Sequence, residues 1–373
     1  MLRSPVLLRD SNSNDSVSTI FFGILGVNSP CLESALRKGH TLLNLVSILI
    51  PAYNAEKWVA DTIKSALRQT WPKKEIIIVN DGSSDNTLTI AKHFESRTLN
   101  VISQENRGAT AARNRALEYA QGDYIQWLDA DDLLASNKIS EQLKVADRGA
   151  TTLALYSSPH GTFYWRPEKA RFVPNSLWQD LTHLDYMIKN FSQNHWMIPA
   201  AWLVSRRLTE KAGPWDERLT LNDDGEYFCR VVAASEGIKF VREARCYYRQ
   251  SGVNQLSRSN GEQACKSLLL SLSLSIGYLL SLEDSERTRR ASLTLLQDNL
   301  PYFYPEQAEV LEKINTLAFE LGGELMTPRF GWKSDLMQRL FGRTRGKKVM
   351  TRLRKLKLAM ALEWDHMLYR ITR

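Results

Sequence analysis

Four cysteines in 373 residues, Cys31, Cys229, Cys246 and Cys265, lie too far apart to form a C-x-x-C pair, and neither His-x-x-x-His nor His-Glu-x-x-His occurs. Neither a structural zinc site nor a disulfide framework is expected, and the thiols read as free or buried groups of a reducing compartment. No apolar run reaches the ~18 residues that a membrane-spanning helix needs. Ile20 to Val27 is short and follows an acidic, Ser/Asn-rich stretch instead of the positive start of a signal peptide. Ser267 to Leu282 is interrupted by serines and reads as a buried helix. Glycine signatures for phosphate are missing too. There is no G-x-x-x-x-G-K-[ST] loop, and the first strand-to-helix turn, Pro51 to Trp58, contains no glycine at all. A P-loop NTPase and a dehydrogenase-type dinucleotide site are thereby excluded.

What is present is an ordinary globular composition, 43% hydrophobic and 24% charged, with a net charge of +8. The length allows one large α/β domain with an appendage, or two domains. The positive charge is concentrated in a tail: from Pro328 onward 13 Lys and Arg face three acids, so the other 327 residues are slightly acidic. A nucleic-acid partner is not expected for the chain as a whole. Residues 1–44 are polar, then mixed, with no clear period and no assignable role.

Order begins at Leu45. Leu45 to Ile50 is almost continuously apolar, as expected of a parallel strand covered on both faces. A helix with Trp58, Val59, Ile63, Ala66 and Leu67 on one face follows, then a strand at Glu75 to Val79 and a turn to Asp85, which stands where a helix N-cap belongs. A strand around Asn100 to Ser103, a helix from about Ala109 to Ala120 and a strand at Asp123 to Leu128 complete a β-α-β-α-β-α-β pattern, which implies a parallel sheet with right-handed crossovers. From about Thr151 the pattern is irregular and rich in Trp and Tyr, and from about Gly261 it is mostly helical.

In open parallel sheets ligands bind beyond the carboxyl ends of the strands. Three polar clusters fall there: Pro51 to Asn54, Asp81 to Asp85, and Asp129-Ala130-Asp131-Asp132. If the first strand lies between the other two, the acidic clusters flank one crevice. Three carboxylates within four residues repel one another unless a cation sits among them, and an oxygen-only set suits Mg²⁺ or Mn²⁺. Alone, a D-x-D-D string is equally a solvated turn; its place at the end of an apolar strand after three α/β repeats is what favours the metal. Arg113 can help hold a diphosphate or can simply be an exposed helix residue.

The segments VSILIPAYNAE, IIIVNDGSSDNT, ISQENRGATAARNRAL and DYIQWLDADD, in that order and spacing, resemble the nucleotide-sugar-binding half of the family-2 glycosyltransferases of GT-A fold. AAWLVSRRLTEKAGPWDERL followed by NDDGEYFCRV resembles the acceptor half, with Trp215 in place of a usual Phe and Asp223-Asp224 in place of a Glu-Asp pair. The resemblance covers about Val46 to Ser257. It implies that Pro51, Tyr53 and Asp81 contact the nucleoside, that Asn54, Glu56, Gly108, Arg113, Asn114 and Ala130 lie on the nucleotide-sugar side, that Asp129, also on that side, approaches the ribose or the metal, that Asp131 binds the metal with Asp132 supporting or sharing it, and that Asp224 is the catalytic base. Asp223-Asp224 also reads as a helix N-terminus, where acids favour the dipole. Tyr247 to Ser257 resembles a Tyr-Arg-x-His loop of the family, with Ser251 where a His is common; Arg249 is its candidate phosphate partner.

The expected architecture is therefore α/β of GT-A type over residues 45–260, split at about 135 into a donor and an acceptor half, with a helical C-terminal region over 261–373. The expected activity is inverting, metal-dependent transfer from a nucleoside-diphosphate sugar, with UDP as the expected nucleotide, to a glycan or lipid-linked acceptor in cell-surface polysaccharide synthesis on the cytoplasmic side. A nucleotide-sugar pyrophosphatase using the same acidic site, and a catalytically silent binding module, are the alternatives. Trp165, Trp178, Trp196 and Trp202 are candidates for stacking on acceptor sugars or for the core. In the tail, Val349, Leu353, Leu356, Met360, Trp364 and Met367 recur at helical spacing beside Lys348, Arg352, Lys355 and Lys357, a basic amphipathic helix suited to an anionic membrane surface, to a second subunit or to the catalytic domain.

Overall fold

The computed structural model describes residues 43–149, 153, 155–251, 261–304, 307–328 and 342–372. Cys31, the Ile20 to Val27 segment and the loop from Gly252 to Ser257 lie outside them, as does the reading of residues 1–42.

The four expected strands form, each close to its expected place: β1 (Val46–Ala52), β2 (Lys74–Asp81), β3 (Leu99–Gln104) and β4 (Tyr124–Trp127). Val46 and Ile48 to Ile50 are wholly buried, because helices cover both faces of a parallel sheet. The connecting helices are α1 (Val59–Leu67), α2 (Thr87–Lys92) and α3 (Ala109–Tyr119). α2 begins one residue later than Asp85 alone suggests. Asp85 still supplies the first turn, accepting from Thr87 N at 2.9 Å, and it also accepts from Glu56 N at 3.0 Å.

β1 lies between β4 and β2 in a seven-stranded sheet of order β10 (Ile238–Phe240), β6 (Leu155–Ser157), β9 (Leu203–Ser205), β4, β1, β2, β3. The register sets Ala52 opposite Asn80 and Leu49 opposite Trp127, so the turns after β1, β2 and β4 leave on one edge. Gly122 is required beside this sheet, since a Cβ there would lie 2.5 Å from Ser47 N.

Beyond Thr151 the chain is more regular than its sequence pattern suggests. After β5 (Leu133–Leu134) and α4 (Lys138–Gly149) come β6 (Leu155–Ser157), β7 (His160–Phe163), β8 (Arg171–Phe172), α5 (His183–Gln193), β9 (Leu203–Ser205), α6 (Arg206–Ala212), α7 (Asp223–Ala234), β10 (Ile238–Phe240) and β11 (Cys246–Arg249). β9 runs antiparallel between β4 and β6, while β5, β11, β7 and β8 make a second sheet of four strands. Strands of two to four residues are too short to show a period, which is why this sheet was not foreseen.

The C-terminal region is helical as expected: α8 (Glu262–Leu282), α9 (Glu286–Phe303), α10 (Ala308–Glu320) and α11 (Arg343–Thr372). Among the described residues α8 alone is long and apolar enough to cross a membrane by length and composition. Its buried residues, including Leu268, Leu272, Ile276 and Leu279, recur every three or four positions and face α7 and α9. Cys229, Cys246 and Cys265 are buried, and none is in a disulfide among the described residues.

Candidate functional site

The turns after β1 and β2 are laced together. Asn54 sits at φ 47°, a conformation asparagine tolerates better than most residues. Its N–H donates to Ser83 Oγ at 3.0 Å and its Oδ1 accepts from Ser84 N at 2.9 Å. Glu56 accepts from Asn86 N and Nδ2 at 3.1 and 3.0 Å. Pro51 is half-buried, whereas Tyr53 is 53% exposed and turns its ring to solvent.

Asp81, buried at the end of β2, organises the loop before α3. One carboxylate oxygen accepts from Gln104 Nε2 (2.8 Å) and Arg107 N (2.9 Å), the other from Gly108 N (2.9 Å). A carboxylate offers about four acceptor positions, so one remains for a ligand N–H. Gly82 has φ +67°, and a Cβ there would meet Asn106 N at 2.6 Å; only glycine lets the two loops approach this closely.

α3 joins the two halves of the domain. Arg113 is buried, donates to Asp129 Oδ1 at 2.8 Å and Asp223 Oδ2 at 2.5 Å, and lies 4.4 Å from the ring centre of Trp215. Burial alone would lower its pKa; Asp129 and Asp223 outweigh that and hold the guanidinium charged. The next residue, Asn114, accepts from Trp215 N at 2.8 Å and donates to Trp215 O and Glu217 Oε1 at 3.0 and 3.1 Å. Its amide is thus engaged by the segment that leads to α7, and Glu217 also pairs with Arg107 at 3.0 Å.

The acidic turn is pinned from below by Thr62, whose Oγ1 lies 2.9 Å from both Ala130 O and Asp132 O. Asp132 is fully buried; Oδ1 accepts from Arg249 N at 2.9 Å, and Oδ2 has no partner among the described residues. Burial, then Asp131 and Asp129, push its pKa well above the usual carboxylate range. Burial pushes Asp131 up to about 6, against a hydrogen bond from Ser251, the residue that stands where the resemblance has a His. Arg249 is buried between Trp58 (4.5 Å) and Phe163 (4.6 Å) and donates to Asp131 O at 2.8 Å and Tyr164 O at 3.3 Å, with Asp61 at 3.6 Å. Those contacts make Arg249 a buttress of the turn.

Among the described residues no three His, Cys, Asp or Glu side chains converge as a ready-made metal cage. Mg²⁺ and Mn²⁺ do not need one, since they bind through one or two carboxylates together with substrate phosphates. The unpartnered, buried Asp132 Oδ2 beside Asp131 and Asp129 fits that donor set.

Across from this turn, α7 begins at the acidic pair. Asp223 is taken by Arg113, but Asp224 receives only the N–H of Gly225, at 2.9 Å, among the hydrogen bonds of the described residues. Burial, then the Asp223 charge, push Asp224 up to about 7, with Arg113 opposing. The pair is held by residues that sequence reasoning missed. Ser267 Oγ of α8 accepts from Thr220 N (2.8 Å) and Leu221 N (2.9 Å) and donates to Leu221 O; Ser271 Oγ accepts from Asn222 Nδ2 (2.7 Å) and donates to Asn222 O (2.8 Å). Asn222 adopts φ 57°, and a Cβ on Gly225 would meet its Oδ1 at 2.5 Å. Their signal was the four-residue spacing of Ser267, Ser271 and Ser275 on one helix face.

Of the four candidate tryptophans, Trp202 is core, Trp178 is half-buried, and Trp165 is stacked by His366 at 3.9 Å. Trp196 is 50% exposed, its ring 5.0 Å from that of His160.

Residues 47–213 match the family model described as Glycosyl transferase family 2. The chain is 30% identical over 215 residues to glycosyltransferase GlyG of Streptococcus pneumoniae, covering 55% of this chain and 71% of that protein. It is 40% identical over 102 residues to the UDP-Glc:alpha-D-GlcNAc-diphosphoundecaprenol beta-1,3-glucosyltransferase WfgD of Escherichia coli, covering 27% of this chain and 40% of the relative. S. aureus TarS, solved in complex with UDP, superposes with a TM-score of 0.57 at 19% identity over 73% of this chain and 78% of TarS. The chain belongs to glycosyltransferase family 2. Its architecture is the expected α/β fold of GT-A type followed by C-terminal helices. It spans 40% to 62% of the length of several other curated relatives that it matches.

Proposed function

We propose that this protein is an inverting, metal-dependent glycosyltransferase that moves a sugar from a nucleoside diphosphate, UDP in the first instance, to a glycan or lipid-linked acceptor of a cell-surface polysaccharide. The observation that carries the reading is the division of labour among the carboxylates. Arg113 neutralises Asp129 and Asp223, while among the described residues Asp224 makes no ion pair of its own, and its pKa is pushed up to about 7.

In this reading Asp81 accepts the N–H of the base, Pro51 and Tyr53 flank the nucleoside, and Asn54, Glu56, Gly108 and Asn114 set the loops around it. Asp131 and Asp132 hold Mg²⁺ or Mn²⁺, which when bound neutralises the charge of the departing diphosphate. Asp129 and Ala130 face the ribose side, Arg113 orients Asp129, and Arg249 keeps the acidic turn in shape. Asp224 accepts the proton of the acceptor hydroxyl as its oxygen attacks the anomeric carbon and the carbon–diphosphate bond breaks. A pKa near 7 suits a base that works at neutral pH. One displacement inverts configuration, so an α-linked donor gives a β-linked product.

The donor and acceptor named for the Escherichia coli relative agree with a UDP-sugar and a diphosphate-lipid acceptor, and the buried thiols agree with work on the cytoplasmic side. The test is a panel of nucleotide sugars, screened first for thermal stabilisation with Mn²⁺ and then with lipid-diphosphate sugars as acceptors. A new β-glycosidic bond and one nucleoside diphosphate per bond are expected. Release of nucleoside monophosphate without acceptor would establish the pyrophosphatase reading instead.

A further inference from the structure

α11 is a helix of 30 residues that touches the rest of the protein along one face. Asp365 accepts from Trp165 N at 2.9 Å and Arg166 Nε at 2.8 Å. His366 stacks on Trp165 with ring centres 3.9 Å apart and planes at 14°, and Tyr369 lies 5.8 Å from the same ring. Leu358, Ala361 and Leu362 are half-buried on this side.

The opposite face is apolar and uncovered. Leu353, Leu356, Met360, Trp364, Met367 and Ile371 are 44% to 72% exposed, and their spacing of three and four residues lines them up in a single stripe. It is the face expected to meet a membrane, a second subunit or the catalytic domain, and among the described residues nothing covers it. Large exposed apolar patches on a soluble surface mark an interaction site. Arg352, Lys357 and Arg370 border the stripe, and Arg354 and Lys355 lie further round, all exposed. The acids of α11 are Glu363 and Asp365, and Asp365 is taken by Arg166.

This charge pattern selects the occupant. A second copy meeting the stripe about a two-fold axis would set basic rows against basic rows, which opposes association. A bilayer with anionic headgroups takes up the apolar stripe and neutralises both borders. We propose that α11 seats the protein on an anionic membrane surface, apolar stripe inward. The seat lies close to the site: Trp165 is also 4.3 Å from Trp58, the ring on which Arg249 rests behind the acidic turn. The docking stands without the transfer reaction; only its use, bringing a lipid-linked acceptor to the site, rests on the proposed function.

The test is co-sedimentation of the full chain, without substrates, with phosphatidylcholine vesicles and with vesicles containing about 30% phosphatidylglycerol. Binding to the anionic vesicles, weakened by salt, is expected. The double variant Met360→Glu/Trp364→Glu, at two exposed positions away from the docked face, should keep the wild-type Tm and lower the partition coefficient about tenfold or more. Equal binding of variant and wild type, or no binding by either, overturns the proposal. So does a concentration-dependent dimer in light scattering that the double variant abolishes while vesicle binding is unchanged.

Discussion

Replacing Asp224 with asparagine should do two things at once: slow transfer at least a hundredfold and make the protein more stable above neutral pH. The native carboxyl is pushed from 3.8 to about 7 by burial and by Asp223. Below pH 4 it is protonated in the folded and unfolded chain alike, and burial costs nothing through ionisation. Between pH 4 and pH 7 the unfolded chain loses its proton first, so stability falls as pH rises, and above pH 7 the full penalty is present. At about 1.4 kcal/mol per pH unit, that penalty is about 4 kcal/mol. Asparagine keeps an oxygen for Gly225 N and carries no charge, so it should recover about 2 to 4 kcal/mol, a rise of about 3 to 6 °C in Tm for a domain of this size. Scanning calorimetry at pH 4 and pH 8 reads the difference: no gain at pH 4, the full gain at pH 8.

The chemistry runs the other way. An amide cannot accept the proton, and loss of a general base typically costs about 10² to 10⁴ in rate. Donor binding, measured by calorimetry with UDP and Mn²⁺, should stay near wild type, because the proton moves only as the bond forms. The acid limb of the wild-type pH profile near 7 should vanish from the residual rate. Asp223→Asn should be milder in turnover yet lose stability, since it removes one of Arg113's two partners. Near-normal turnover in Asp224→Asn, or equal Tm shifts at both pH values, would refute the base assignment and the desolvation argument respectively.

Four further outcomes test the remaining groups. EDTA, or Asp131→Ala, should weaken UDP-sugar binding and abolish transfer together; full activity in EDTA sinks the metal. Arg113→Met leaves Asp129 and Asp223 without their cation and should cost about 3 kcal/mol in denaturant unfolding. Ser271→Ala removes the hydroxyl that bonds Asn222 on both sides and should cost about 1 to 2 kcal/mol. Because Ser271 acts through the acidic pair, its kcat should fall while the donor KM holds; an equal loss in both points to general unfolding. Gly82→Ala, at φ +67° and 2.6 Å from Asn106 N, should weaken nucleotide binding and lower stability by about 1 to 3 kcal/mol.

The donor half, as read from the sequence, was legible because β1, β2 and β4 are mostly buried on both faces. Continuous apolar runs such as Ile76 to Val79 need no tertiary knowledge to be recognised, and the polar residues that end them mark the ligand edge. The acceptor half was not, for two physical reasons. β5 to β8, β10 and β11 have two to four residues each, below the length at which alternation can be counted. Its key contacts also span long stretches of sequence, Arg113 to Asp223 and Ser271 to Asn222 among them, and spacing along the chain carries no sign of such pairs. Arg249 is read as a phosphate partner from the resemblance of Tyr247 to Ser257 to a family loop. The structure adds what the motif could not show, that Arg249 ends β11 between the aromatic rings of Trp58 and Phe163.

What the structure adds to the sequence is an account of which acids remain uncompensated. The cluster brings Asp129, Asp131, Asp132, Asp223 and Asp224 together with Arg113 and Arg249 as cations. Arg113 is committed to Asp129 and Asp223. Arg249 donates to main-chain oxygens and leans toward Asp61, leaving Asp132 with a backbone N–H and one empty oxygen. Three of the five carboxyls therefore sit above their usual range, two on the acidic turn and one at the start of α7. The pair on the turn is relieved most directly by a divalent cation. Asp224, next to Asp223 at the start of α7, is left protonatable near pH 7. A site wired this way separates charge neutralisation from proton acceptance, and those are the two separate demands of displacing a diphosphate with a hydroxyl.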